Sequence, residues 1–164
     1  MSVVPSFEGQ PGYAYVRTAR QSEGLTMLAR AEAAIRAMRV RGFEAFVLVN
    51  HVGGLILAKR FDEAEARGQE ALAVVGASGQ RVAEAWMLFL LGEISAGPAR
   101  LDVKRAGAYY AAALSEAEEC DLAPLVAHCE RGLGELARRA GRKEEAASRL
   151  GAAAHSFRAM EMRF

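Results

Sequence analysis

The side chains in this sequence best suited to nucleophilic or metal chemistry are three histidines and two cysteines: His51, His128, His155, Cys120 and Cys129. A nucleophile needs an adjacent base, and a structural zinc needs four ligands converging on one point. The spacing offers neither. His128 and Cys129 are neighbours, so on a helix their side chains diverge by about 100° and cannot grip one tetrahedral ion without help from distant residues. The cysteine spacing fits neither a zinc knuckle nor a redox Cys-x-x-Cys, so ordinary thiols in a reducing, cytoplasmic setting are expected. The acidic runs Asp62, Glu63, Glu65 and Glu116, Glu118, Glu119 fan around a helix surface rather than closing a cage for a hard cation. Gly132-Leu133-Gly134 lies in an amphipathic stretch without a preceding strand or a following Lys-Ser/Thr, so it is no phosphate loop. The residues predict no catalytic site, no metal and no cofactor.

Charge excludes a second class of function. The 21 Lys+Arg and 20 Asp+Glu leave a formal charge of +1. The basic residues near the C-terminus (Arg131, Arg138, Arg139, Arg142, Lys143 and Arg149) are interleaved with Glu130, Glu135, Glu144 and Glu145, for a local balance of only about +2. That is too little for the counterion release that drives non-specific nucleic-acid binding. The most apolar stretch, 45–58, is interrupted by Asn50, His51, Gly53 and Gly54 and falls short of the ~20 residues of a membrane span. It reads as a buried helix. The N-terminus lacks the basic start and apolar core of a signal peptide.

The elements that must position any functional surface are helices. Of the 164 residues 34 are alanine, aromatics reach 7% and β-branched residues are sparse, a composition that predicts an all-α chain. At this length a fold can bury roughly 68–70% of the surface its unfolded chain exposes. Small residues recur in pairs seven apart: Gly24/Ala31, Ala64/Ala71, Ala106/Ala113 and Ala146/Ala153, stepping by 40, 42 and 40 residues. Twelve or fourteen residues before three of these pairs stand Gly12, Gly92 and Gly134, with Val52 in the corresponding place of the remaining unit. Each unit therefore holds two helices that approach closely at small residues, with Leu25, Leu28, Leu72, Tyr110, Leu114 and Leu150 as packing neighbours. Between the helices lie polar or breaker-rich segments, among them 58–62, 96–102 and 139–143. Ser22, Asp62 and Asp102 suit helix N-caps, and Gly97-Pro98 and Gly141 suit helix ends. One hairpin cannot bury its own apolar face, so the expected architecture is a single domain over 1–164: an α-α superhelix of about four hairpins, in units roughly 6–40, 43–78, 80–120 and 122–162.

The spacing in Gly12/Gly24/Ala31 and Gly134/Ala146/Ala153 resembles the signature of tetratricopeptide repeats. The longer unit, together with segments such as Leu91-Gly92-Glu93-Ile94, Gly132-Leu133-Gly134-Glu135-Leu136 and the stretch 157–164, resembles the extended repeats at the C-terminal end of large bacterial signalling proteins. Those proteins join a nucleotidyl-cyclase or regulatory domain to an ATPase module and a repeat array. The sequence departs from the pattern at Val52, where a glycine is expected, and at His51, where an apolar residue is usual. It contains no cyclase or ATPase segment, so only the interaction role is implied: a non-catalytic scaffold for proteins, with no nucleic acid and no membrane as partner.

The resemblance also implies a binding surface, because in that family the first helix of each hairpin lines a concave groove. The corresponding positions are Tyr13 and Arg17 in the first unit, Phe46, Val49 and Gly53 in the second, Trp86, Phe89 and Glu93 in the third, and His128, Arg131, Glu135, Arg138 and Arg139 in the fourth. Aromatic and Arg side chains are frequent hot spots, and an Arg-rich end suits a partner carboxylate. The alternative for Phe46, Trp86, Phe89 and His128 is simple packing between hairpins. Phe157, Met160, Met162 and Phe164 crowd the last helix, and an uncovered apolar face there predicts self-association. A regulatory array that senses a small ligand is the alternative function.

Overall fold

In a computed structural model, which describes residues 20–38, 41–97 and 101–160, every regular element is a helix. The helices are α1 (Gln21–Met38), α2 (Arg41–Leu57), α3 (Phe61–Ala77), α4 (Arg81–Ser95), α5 (Val103–Glu119), α6 (Ala123–Arg139) and α7 (Lys143–Ala159), and no strand occurs among the described residues. They gather into two compact units, Met1–Ala83 and Glu84–Phe164. In the first, α2 packs against both α1 and α3; in the second, α6 packs against both α5 and α7. Gly12, Tyr13, Arg17, Pro98, Met162 and Phe164 lie outside the described residues.

Four turns share one geometry. Lys59, Gly79, Asp121 and Gly141 all have positive φ, between 54° and 75°. In each turn the residue after this one donates its backbone N–H to the carbonyl five positions earlier, as Arg60 to Leu55, Gln80 to Val75, Leu122 to Ala117 and Arg142 to Ala137, at 2.8–3.3 Å. This is the Schellman closure, which satisfies the carbonyls a helix end leaves unpaired. Only three residues separate the helices at these turns, and within each unit the chain folds back on itself there: α2 against α3 in the first, α5 against α6 and α6 against α7 in the second. The connection between α4 and α5 is longer, as its Gly97-Pro98 pair predicts, and at its far end the Asp102 N–H donates to the Ser95 carbonyl at 2.9 Å.

Of the three expected N-caps only Asp102 acts as one: its side chain accepts from the Arg105 N–H at 2.9 Å. Ser22 lies within α1 and Asp62 within α3. The cap position of α3 is occupied by Arg60, which places no side-chain acceptor there. The Schellman turn closes so tightly that the next helix begins one residue before the acid available to cap it.

The recurring small residues are where close approach demands them. Ala64, Ala71, Ala106, Ala113, Ala146 and Ala153 are at most 4% exposed, and Gly24 is also buried. A β-carbon at Gly134 would come within 2.8 Å of Leu150, the α7 side chain that packs there. Val52, the departure from the glycine pattern, is fully buried. Fully burying a side chain such as Leu28, Leu90 or Leu125 contributes about 1.5–3 kcal/mol.

Candidate functional site

The candidate surface of the second unit is carried by its first helices, α4 and α6. Trp86, Phe89 and Glu93 are spaced i, i+3, i+7 on α4, and His128, Arg131, Glu135, Arg138 and Arg139 follow the same spacing on α6, so each set shares one helix face. What holds the two helices in place is Tyr110 of α5. Its ring lies against Gly92 of α4 and Gly132 of α6, and a β-carbon at either glycine would approach it to 2.7 Å. The phenol hydroxyl donates to Glu93 Oε1 at 2.6 Å, and the Arg131 guanidinium donates to the same oxygen at 3.3 Å. Further along, Arg139 donates to the Ala96 carbonyl at the end of α4, at 2.8 Å.

Burial and neighbouring charge act on the titrating groups of this network. Burial pushes the Glu93 carboxyl above the usual range, and the Arg131 guanidinium and Tyr110 hydroxyl offset part of that. Burial and the neighbouring Glu93 charge push the Tyr110 hydroxyl up as well, so it remains a donor. Burial pushes the Cys129 thiol up to about 12, which leaves it unreactive as a nucleophile. Both cysteines are free.

Beneath the face runs a row of rings. Trp86 meets Phe89 edge-on at 6.0 Å between centroids, Phe89 meets His128 at 5.7 Å, and His128 meets Phe157 of α7 at 4.9 Å. His128 is 1% exposed, and neither of its ring nitrogens has a hydrogen-bond partner. Burial, with the Arg131 charge adding, lowers its pKa to about 4, so at neutral pH it is an uncharged ring filling an apolar slot.

The expected site residues therefore divide by depth. Val49, Phe89 and His128 are buried core, and Gly53 is buried with them. They shape the helices and have no surface to offer a partner. In the second unit Trp86, Glu93, Arg131 and Glu135 are half-buried, and Arg138 and Arg139 are exposed. Arg138 forms a local pair with Glu135 at 2.7 Å. In the first unit Phe46 is exposed. Phe157, expected on an uncovered C-terminal face, packs instead into the core with Ala127 and Ala153, with half-buried Met160 against them. The aromatic ring is drawn inward because α6 presents His128 opposite it.

A charged cluster in the first unit was not legible in the sequence. Glu32 of α1, 2% exposed, takes the His51 imidazole at 2.7 Å through Nδ1, and accepts hydrogen bonds from Arg36 at 3.0 Å and from Arg67. Burial raises the Glu32 carboxyl, but the His51 hydrogen bond and the Arg67, His51 and Arg36 charges outweigh it and hold the group below its usual range. The cluster ties α1, α2 and α3 together. The signal available in the sequence was an acid beside Ala31, on the face the small residues mark as buried.

Among the described residues no three His, Cys, Asp or Glu side chains are grouped to hold a metal ion. No described helix is long and apolar enough to cross a membrane. No protein-family model matches the chain, and a search of curated proteins finds no significant match.

Proposed function

We propose that the chain is a non-catalytic protein-interaction scaffold of tetratricopeptide type, in the setting of bacterial signalling or regulation. A peptide or partner helix lies across α4 and α6 of the second unit. The observation that carries this reading is the separation of labour on those helices: Phe89, His128 and Tyr110 do the packing, while Trp86, Glu135, Arg138 and Arg139 keep accessible surface at helical spacing beside them. Trp and Arg are the side chains most enriched in binding hot spots, and a guanidinium pairs with a partner carboxylate in a planar, bidentate geometry. The inert Cys129 thiol and the sealed imidazole of His128 support a surface role rather than a catalytic one.

The test is affinity capture of binding partners with the parent chain, Trp86→Ala and Arg138→Ala. Arg131 is a poor choice for this purpose, because removing it leaves the buried Glu93 without its counter-charge. Both variants are expected to lose the captured partner while keeping the parent's helical circular dichroism. Undiminished capture by both would refute the assignment.

A further inference from the structure

His128 is a titratable group that the interaction surface does not use, and its surroundings suit only a neutral ring. It is 1% exposed and lies between Phe89 of α4 at 5.7 Å and Phe157 of α7 at 4.9 Å. Neither ring nitrogen has a hydrogen-bond partner. An imidazolium carries a charge and two N–H donors, and in this slot neither donor finds an acceptor.

The charged groups of the surrounding helices do not compensate. Arg131 of α6 acts against protonation with its own positive charge. The acids are engaged elsewhere: Glu93 of α4 accepts from Arg131 and from the Tyr110 hydroxyl of α5, while Glu130 of α6 and Glu145 of α7 hold Arg149 of α7. His155 and Arg158 of α7 are exposed.

The helix that seals the slot has a single neighbour among the described helices, α6. Leu150 packs on Gly134, Arg149 pairs with Glu130 at 2.9 Å, and Phe157 and Ala153 pack with Ala127. Lifting α7 therefore removes Phe157, the ring nearest to His128, and lets water reach the imidazole, where both N–H groups find acceptors. Local opening of one helix costs less than unfolding the unit.

We propose that α7 is an acid-released strap: protonation of His128 favours a state in which α7 lifts from α6, draws Phe157 out of the slot and uncovers Ala127 and Gly134. The device stands independently of the partner assigned to α4 and α6.

The experiment is amide hydrogen exchange of the full chain at pH 7.5 and pH 5, each rate divided by the intrinsic rate at that pH, with α5 as the internal reference. Burial lowers the imidazole pKa to about 4 from the ordinary 6.5 that the open state restores, so the opening equilibrium of α7 is expected to rise about 25-fold between the two pH values. At both, α7 is expected to be less protected than α5. His128→Leu is expected to keep α7 below α5 and to remove the pH dependence. Glu130→Gln, which takes a partner from Arg149, is expected to lower α7 protection at both pH values and to retain the change between them. The proposal is overturned if α7 and α5 share one level of protection, if α7 protection is equal at the two pH values, if it falls as far in His128→Leu as in the parent, or if Glu130→Gln alone removes the change.

Discussion

The ring of Tyr110 occupies the space that a side chain at Gly92 would need, and a β-carbon there would stand 2.7 Å from it. Gly132 faces the same ring from α6 at the same distance. Tyr110 is thus a wedge whose two walls must both be glycine, and its hydroxyl then falls within reach of Glu93. Overpacking of this kind costs about 1–3 kcal/mol. Gly92→Ala and Gly132→Ala are each expected to lower stability in urea unfolding by that amount. Gly151→Ala is the control: an added β-carbon meets nothing within 4 Å, and inside a helix the change gains up to about 1 kcal/mol.

The four similar turns make a second prediction. Lys59 and Asp121 hold the left-handed conformation that Gly79 and Gly141 hold in the equivalent turns, and for residues with a β-carbon this costs about 1 kcal/mol. Lys59→Gly and Asp121→Gly are expected to stabilise the protein by up to about 1 kcal/mol. Gly141→Ala is expected to destabilise it by a similar amount. Denaturant midpoints read both signs.

His128 sets an acid limit. Its pKa is lowered to about 4 from the ordinary 6.5, so below pH 6.5 the unfolded chain takes up the proton first. The contribution of the neutral ring is fully present above pH 6.5 and is lost as pH falls toward 4, in total about 3 kcal/mol. His128→Leu is expected to flatten the stability profile between pH 6.5 and 4.5. Glu93 has the opposite sign: its raised carboxyl contributes stability at low pH that is lost as pH rises. Stability measured in urea at several pH values separates the two.

The Glu32 cluster is predicted to hold the first unit together. Glu32→Ala leaves His51 and Arg67 without their shared acceptor, and hydrogen bonds to charged groups contribute about 1.5–3 kcal/mol each. A loss of about 3 kcal/mol is expected, with hydrogen exchange accelerated in α1, α2 and α3. Arg36→Ala, whose side chain is half exposed, is expected to cost less than 1 kcal/mol, as exposed pairs do.

The all-helical fold was legible because close helix packing selects for small size, and size is visible in a sequence. Ala64, Ala106 and Ala146 recur at steps of 42 and 40 residues and are all buried. Partners were less legible. Gly92 and Gly132 announce close approach, but only the fold shows that one ring, Tyr110, fills both spaces. Glu32 was missed because an acid interrupts an apolar face in the same way whether it is solvated or held by His51 and Arg67 from other helices. Depth was the other blind spot. Phe89, Arg131 and Arg138 share helix faces with equal claim in the sequence, yet Phe89 is sealed and Arg138 is open, because a helix face wide enough to bind is also wide enough to enter the core at its edge.

Site-specific photo-cross-linking asks whether a partner is held on the first-helix face of the second unit. A benzoylphenylalanine replaces Arg138 on α6 or, in a separate sample, Ala152 on α7, both exposed positions. A discrete cross-linked partner is expected from position 138, competed away by excess unlabelled chain, and none from position 152. Cross-linking from 152 with none from 138 would contradict it.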